Sequence, residues 1–181
     1  MPSANMRRLL LLRHAKSAYP DVADHERPLA RRGCRDAPVA GRWLREAGCL
    51  PDVVVCSTAR RARETWQLAA AELGSVPHVR FDRRVYEATA AELLDVVRQI
   101  PAGARTLLIV GHDPAVPELA AALASAGAGD AGALARVRLK FPTAAIAVLA
   151  FTGSWPELAP GRGRLTAFVV PRELRAGRSK G

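Results

Sequence analysis

The chain has 181 residues, 49% apolar and 24% charged, with 27 Lys and Arg against 17 Asp and Glu for a formal net charge of +10. That length suits one domain with its own core, and the composition excludes wholesale disorder and a fibrous protein. No apolar run approaches the ~18 residues of a membrane span and Met1 to Asn5 opens no signal-peptide stretch, so the expectation is a soluble, cytoplasmic single domain over 1–181, with its core at about 6–171.

The apolar run Met6 to Leu12 predicts a buried strand that ends at Arg13-His14. A polar, charged loop covers Ala15 to Pro28. Arg31 to Ala47 has helical character and stops at Gly48, with Pro38 implying a kink or a late start. Asp52 to Cys56 predicts a second short buried strand. Ala59 to Leu73 reads as a helix ended by Gly74. Val79 to Phe81 reads as a short strand, and Ala90 to Ile100 as a helix closed by Pro101. Thr106 to Val110 predicts a third buried strand. Pro114 to Ala126 predicts a helix with proline in its first turn, and Gly127 to Gly132 a flexible loop. Ala144 to Phe151 and Leu165 to Val170 predict two further strands, and Arg172 to Gly181 a frayed polar tail. Continuous apolar strands alternating with helices predict an α/β fold: a three-layer α/β/α sandwich around a mostly parallel central sheet.

Of the 27 cations only Lys16, Lys140 and Lys180 are lysine. This arginine bias, with frequent alanine, is what a GC-rich coding sequence produces. The arginines are spread along the chain, and aromatic residues make up 5%. Few base-stacking platforms and no basic tract argue against a dedicated nucleic-acid binder; a preference for anionic substrates fits the charge equally well. Cys34, Cys49 and Cys56 form no CxxC pair and no metal-ligand spacing, which fits a reducing compartment and no metal. The sequence carries no signal for an oligomeric state.

Three predicted strands end in polar residues: Arg13-His14, Ser57 ahead of Arg60, Arg61 and Arg63, and Gly111-His112-Asp113. Ligands of open α/β sheets bind beyond the carboxyl ends of the strands. If these strands are parallel neighbours, two histidines and at least one arginine converge there. Arginine forks suit phosphate oxygens, and a neutral histidine can attack phosphorus. Arginines nearby should lower the histidine pKa and keep it neutral. No GxxxxGK[ST] loop, GxGxxG fingerprint, GxSxG elbow or Cys-x5-Arg loop offers a competing chemistry.

Leu11-Leu12-Arg13-His14-Ala15-Lys16-Ser17 resembles the Arg-His-Gly signature of the histidine phosphatase superfamily, with Ala15 in place of the usual Gly. Ser57 to Thr65 resembles its S-P-x-x-R-A-x-x-T motif, and Gly111-His112-Asp113-Pro114 its Gly-His-Asn/Asp-Pro element. Arg27-Pro28-Leu29 followed by Gly33 resembles the R-P-L-T-x-x-G segment. Lys140 to Ala145 is similar to the late segment of small SixA-type phosphohistidine phosphatases.

The resemblance implies a phosphoglycerate mutase-like fold and a phosphatase with no cofactor that works through a phosphohistidine intermediate. His14 would be the nucleophile. Arg13 and Arg61 would bind phosphoryl oxygens, and His112 would donate a hydrogen bond to the transferring group. Glu87, in Val85-Tyr86-Glu87-Ala88, is the candidate acid. The implied substrate is phosphohistidine on a signalling protein, with a small phosphomonoester as the alternative; a basic binding module without turnover belongs to another class. A phosphomutase is disfavoured by the short chain, which leaves little material for a closing lid. Lys16, Asp24 and Arg27 are candidates for the pocket mouth, and Ser17 and Thr143 for phosphate contacts. His25 and His78 are expected at the surface or at a strand edge.

Overall fold

The structure is a computed structural model that describes residues 5–178, with side chains through residue 175. Its strands are β1 (Met6–Arg13), β2 (Val53–Ser57), β3 (His78–Asp82), β4 (Thr106–Gly111), β5 (Ala124–Gly129), β6 (Ile146–Thr152) and β7 (Gly163–Val169). Its helices are α1 (Arg31–Glu46), α2 (Arg60–Ala70), α3 (Ala90–Arg98), α4 (Ala115–Leu123), α5 (Ala131–Leu139) and α6 (Pro171–Arg178). The strands form one sheet in the order β3-β2-β4-β1-β6-β7-β5. β1, β2, β3 and β4 pair in parallel, β6 runs antiparallel to β1 and β7, and β5 lies parallel to β7.

The period of two along β1 divides the core. Leu9 and Leu11 face one side, with Val116 and Leu119 of α4 and Leu93 of α3. Leu10 and Leu12 face the other, with Ala40 and Leu44 of α1 and Ala62 and Trp66 of α2. The central strands are apolar on both faces because helices cover both, and the three-layer architecture expected from the pattern is what forms. Trp155, which sits in a sequence stretch without pattern, is fully buried and donates its indole N–H to the Ala104 carbonyl at 2.9 Å.

Three expectations are corrected. The stretch 114–132 is not a helix running into a flexible loop: α4 stops at Leu123, and β5 and α5 follow. β5 reads Ala-Ser-Ala-Gly-Ala-Gly, so no side-chain alternation announces it; its backbone pairs with β7 at Ala124↔Gly163 and Gly129↔Leu165. The tail is not frayed through 178. α6 docks on α1, where Arg175 Nη2 lies 2.8 Å from Asp36 Oδ1, and Glu173 pairs with Arg136 of α5 at 2.6 Å. Residues 179–181 of the expected tail lie outside the described residues. Pro38 delays nothing, because α1 is already formed from Arg31.

α1 and α2 approach closely at Gly41, where an added Cβ would fall 2.1 Å from the Ala69 carbonyl oxygen. Gly41→Ala would gain helix propensity but drive two backbones apart. A net loss of about 1–3 kcal/mol is expected, read as a lower urea midpoint with an unchanged slope.

Candidate active site

β1, β2 and β4 are adjacent and parallel, so Arg13-His14, Ser57 and Gly111-His112 meet at one sheet edge. The backbone after β1 is held on both sides. The His14 N–H donates to the Gly111 carbonyl at 2.9 Å. The Ala144 N–H donates to the carbonyls of Arg13 (3.0 Å) and His14 (3.1 Å), and Ala144 itself lies at φ +63°. Such left-handed alanine is strained, and the contacts around it maintain it. The Ala15 N–H donates to Thr65 Oγ1 at 2.9 Å, and that hydroxyl donates to the Arg61 carbonyl at 2.7 Å. Ala15 is fully buried and does not enter the left-handed region, which is why it serves where the resemblance leads one to expect glycine.

The two pocket histidines are buried, with ring centroids 5.2 Å apart. His14 Nδ1 lies 2.7 Å from the Ala15 carbonyl oxygen. A carbonyl only accepts, so the neutral ring carries its proton on Nδ1 and keeps a lone pair on Nε2. Burial first, then the charges of Arg61 and Arg13 and the ring of His112, push the His14 pKa down to about 3 despite the Ala15 bond. Burial, with Arg61 and Arg13, lowers His112 to about 4. Both rings are therefore neutral at pH 7.

Arg61 is held in the first turn of α2 with its side chain only 8% exposed. Its Nη1 donates to the Asp24 carbonyl at 2.7 Å and its Nη2 to Asp24 Oδ2 at 3.1 Å. Arg13 Nη1 donates to the Phe141 carbonyl at 2.6 Å, and its Nη2 lies 3.4 Å from Asp113 Oδ2. Both guanidinium groups are braced at their ends, while Arg13 Nε, Arg61 Nε and His112 Nδ1 are buried without a protein partner. The two braced forks and both neutral imidazoles line the same cleft, an arrangement that suits an anion.

His14, Arg13, Arg61, His112 and Glu87 all line one cleft of about 260 Å³, with Lys16, Ser17, Tyr19, Asp24, Arg27, Tyr86, Asp113 and Thr143. Every candidate from the sequence is thus brought together. Glu87 is exposed at the mouth and lies at φ +60°, the left-handed region in which a non-glycine residue often marks a functional site. Ser17 is tied to Arg27, whose guanidinium also lies 4.0 Å from the exposed Tyr19 ring. Asp24 goes beyond a mouth residue. It accepts the Tyr86 hydroxyl at 2.8 Å and pairs with Arg61 and Arg27, and these bonds hold its carboxyl below the usual carboxylate range. His78 sits on edge strand β3 as expected, but His25 joins the site's outer ring, 2.9 Å from Thr58 Oγ1 and edge-on to Tyr86. Tyr86, Ser57 and Thr65 support the site without a role expected of them; the strand end at Ser57 and the motif from Ser57 to Thr65 are the sequence signals that lie on two of them. Among the described residues no group of three or more His, Cys, Asp or Glu could hold a metal, and no helix is long and apolar enough to cross a membrane.

The lowered histidine pKa values have a consequence for stability. In the unfolded chain both imidazoles take up protons as the pH falls through 6.5, whereas in the fold they do so only near 3 to 4. The unfolded state therefore binds more protons in that window, and stability decreases as pH falls from 6.5 toward 4. The expected slope is up to about 1.4 kcal/mol per pH unit for each histidine. Urea melts of wild type and His112→Gln between pH 7 and 5 read it; the variant should lose stability less steeply.

Known proteins resemble this chain in sequence and architecture. The model of the histidine phosphatase superfamily (branch 1) matches residues 9–93. An uncharacterised protein of Mycobacterium tuberculosis is 45% identical over 162 residues, 89% of this chain and 100% of that relative. The solved structure of a candidate phosphohistidine phosphatase SixA from Nakamurella multipartitia is 38% identical, with a TM-score of 0.78 over 93% of this chain and 98% of that one. A phosphoglycerate mutase from Plasmodium falciparum, 16% identical, shares the fold alone, with a TM-score of 0.57 over 92% of this chain and 90% of its own.

Proposed function

Because the chain belongs to the histidine phosphatase superfamily, on its SixA-type side, and is a phosphatase, we propose that it hydrolyses protein phosphohistidine through a phosphorylated His14. The observation that carries this reading is the meeting of two braced arginines and a second histidine with a buried, neutral His14 in one cleft. His14 Nε2 attacks phosphorus and the bond to the leaving group breaks. Arg13, Arg61 and His112 hold the phosphoryl oxygens, where fixed donors count most as charge develops. Water then attacks phosphorus, the N–P bond breaks with its electron pair returning to His14 Nε2, and inorganic phosphate departs.

The leaving group supports phosphohistidine over an alkyl ester. An alkoxide needs a proton as it leaves. At neutral pH Asp24 is ionised and His112 is neutral, so neither brings an acidic proton to the phosphoryl end. Of the two other carboxyls of the cleft, Asp113 pairs with Arg13, and Glu87, at the mouth, is the candidate for such a step. An imidazole leaving group is readily protonated and depends less on a donor. The cleft is also open, with Tyr19 72% exposed at its rim, which suits a side chain presented by a protein.

The test is phosphate release, with chelator present, from a histidine-phosphorylated protein, an aryl phosphate and an alkyl phosphate. A kcat/KM for the phosphohistidine protein at least about 10²-fold above the alkyl ester is expected, about the low end of what a positioned general acid supplies. Preference for the alkyl ester would overturn the substrate assignment in favour of a small-molecule phosphomonoesterase. No release from any of them would remove the catalytic reading and leave a phospho-ligand binding module. The acid limb of kcat/KM is expected near 3 to 4, where the buried histidines protonate, and not near 6.5.

A further inference from the structure

We propose that Ser57 is a positioning residue that fixes His112 in the tautomer carrying its proton on Nδ1, so that the two pocket histidines work through opposite nitrogens. The role given to His112 rests on the phosphatase reading above, but the tautomer does not.

Ser57 ends β2, is fully buried and does not line the cleft. Its Oγ accepts the Ala59 N–H at 3.2 Å, as a residue near the start of α2 is placed to do. It also lies 2.7 Å from His112 Nε2. With one lone pair engaged by Ala59, the hydroxyl proton has one acceptor among the described contacts, and that acceptor is His112 Nε2. A nitrogen that accepts carries no proton, so in the neutral ring the proton is on Nδ1. Nδ1 is the nitrogen that is buried without a protein partner.

His14 takes the same tautomer but is anchored through the other nitrogen. Its Nδ1 must donate to the Ala15 carbonyl, which frees Nε2 as a lone pair. Side by side, one imidazole presents a nucleophilic lone pair and the other an N–H donor. Identical side chains acquire opposite roles because one faces a carbonyl and the other a hydroxyl. The fixed tautomer matters here because His112 is neutral at pH 7: an imidazolium would donate from either nitrogen, whereas a neutral ring donates from only one.

Two-bond 1H–15N correlation on 15N-histidine-labelled protein at pH 7 reads the tautomers directly, with signals assigned by their loss in His14→Ala and His112→Ala. Wild type should show both rings protonated on Nδ1, with a pyridine-type Nε2. Ser57→Ala should move His112 toward the Nε2–H form, and kcat should fall about 10- to 10²-fold while KM changes far less, as for a donor that matters mainly in the transition state. A wild-type His112 protonated on Nε2 overturns the proposal, even if Ser57→Ala fails to fold. So does a folded Ser57→Ala with an unchanged tautomer. Because the spectrum needs no turnover, absence of phosphatase activity would not by itself decide this question.

Discussion

His14→Ala is expected to abolish phosphate release, lowering kcat by a factor on the order of 10⁴–10⁶, as the loss of a covalent nucleophile does elsewhere. No neighbour can replace it. His112 is 5.2 Å away between ring centroids, and its Nε2 is committed to Ser57. The carboxylates of the cleft are weak nucleophiles facing an anion. The variant should still fold, because the surrounding backbone bonds to Gly111, Ala144 and Thr65 do not involve the imidazole. The check is twofold. Rapid-quench incubation of wild type with labelled substrate should trap an acid-labile, alkali-stable phosphoenzyme, and His14→Ala should incorporate no label. Substantial turnover by His14→Ala would remove the covalent mechanism.

Arg61→Ala is expected to lower kcat by about 10²–10³-fold, the effect of removing a donor preorganised toward developing charge. Arg61 can deliver one because Asp24 grips its two terminal nitrogens through the backbone carbonyl and the carboxylate, which fixes the plane of the fork. Arg61→Lys should recover little of the loss, since a lysine ammonium cannot satisfy both Asp24 oxygens and the phosphoryl group from one fixed plane. A lysine variant with near wild-type kcat would show that charge alone, without the fork, serves the reaction.

The central fold was legible because its signals are local. Met6 to Leu12, Asp52 to Cys56 and Thr106 to Val110 are uniformly apolar, and only a strand covered on both faces buries such a run; the polar residues that end them mark the edge where ligands bind. Arg13, His14 and His112 could therefore be placed at that edge from the pattern alone, whereas singling out Arg61 and Glu87 depended on the resemblance to one superfamily. Where stability comes from pairing with a distant segment, the sequence was silent. β5 is built of alanine, serine and glycine and exists through its ladder to β7, and α6 is held against α1 and α5 by partners more than a hundred residues away or across a turn of the fold.

The sequence by itself determined which chemistry could assemble: histidines and arginines at the ends of buried strands, in an order that resembles one superfamily. The tertiary structure decided what each group can do. It buried the imidazoles so that they stay neutral, and set a carbonyl against His14 and a hydroxyl against His112. It also brought Asp24 across to Arg61 and Tyr86 as an ionised brace where a proton donor could have stood. Charge state, tautomer and direction depend on neighbours within about 3 Å, the reach of a hydrogen bond. Here the Ala15 carbonyl beside His14 is local, whereas Ser57 at His112 and Asp24 at Arg61 and Tyr86 come from segments far apart in the chain.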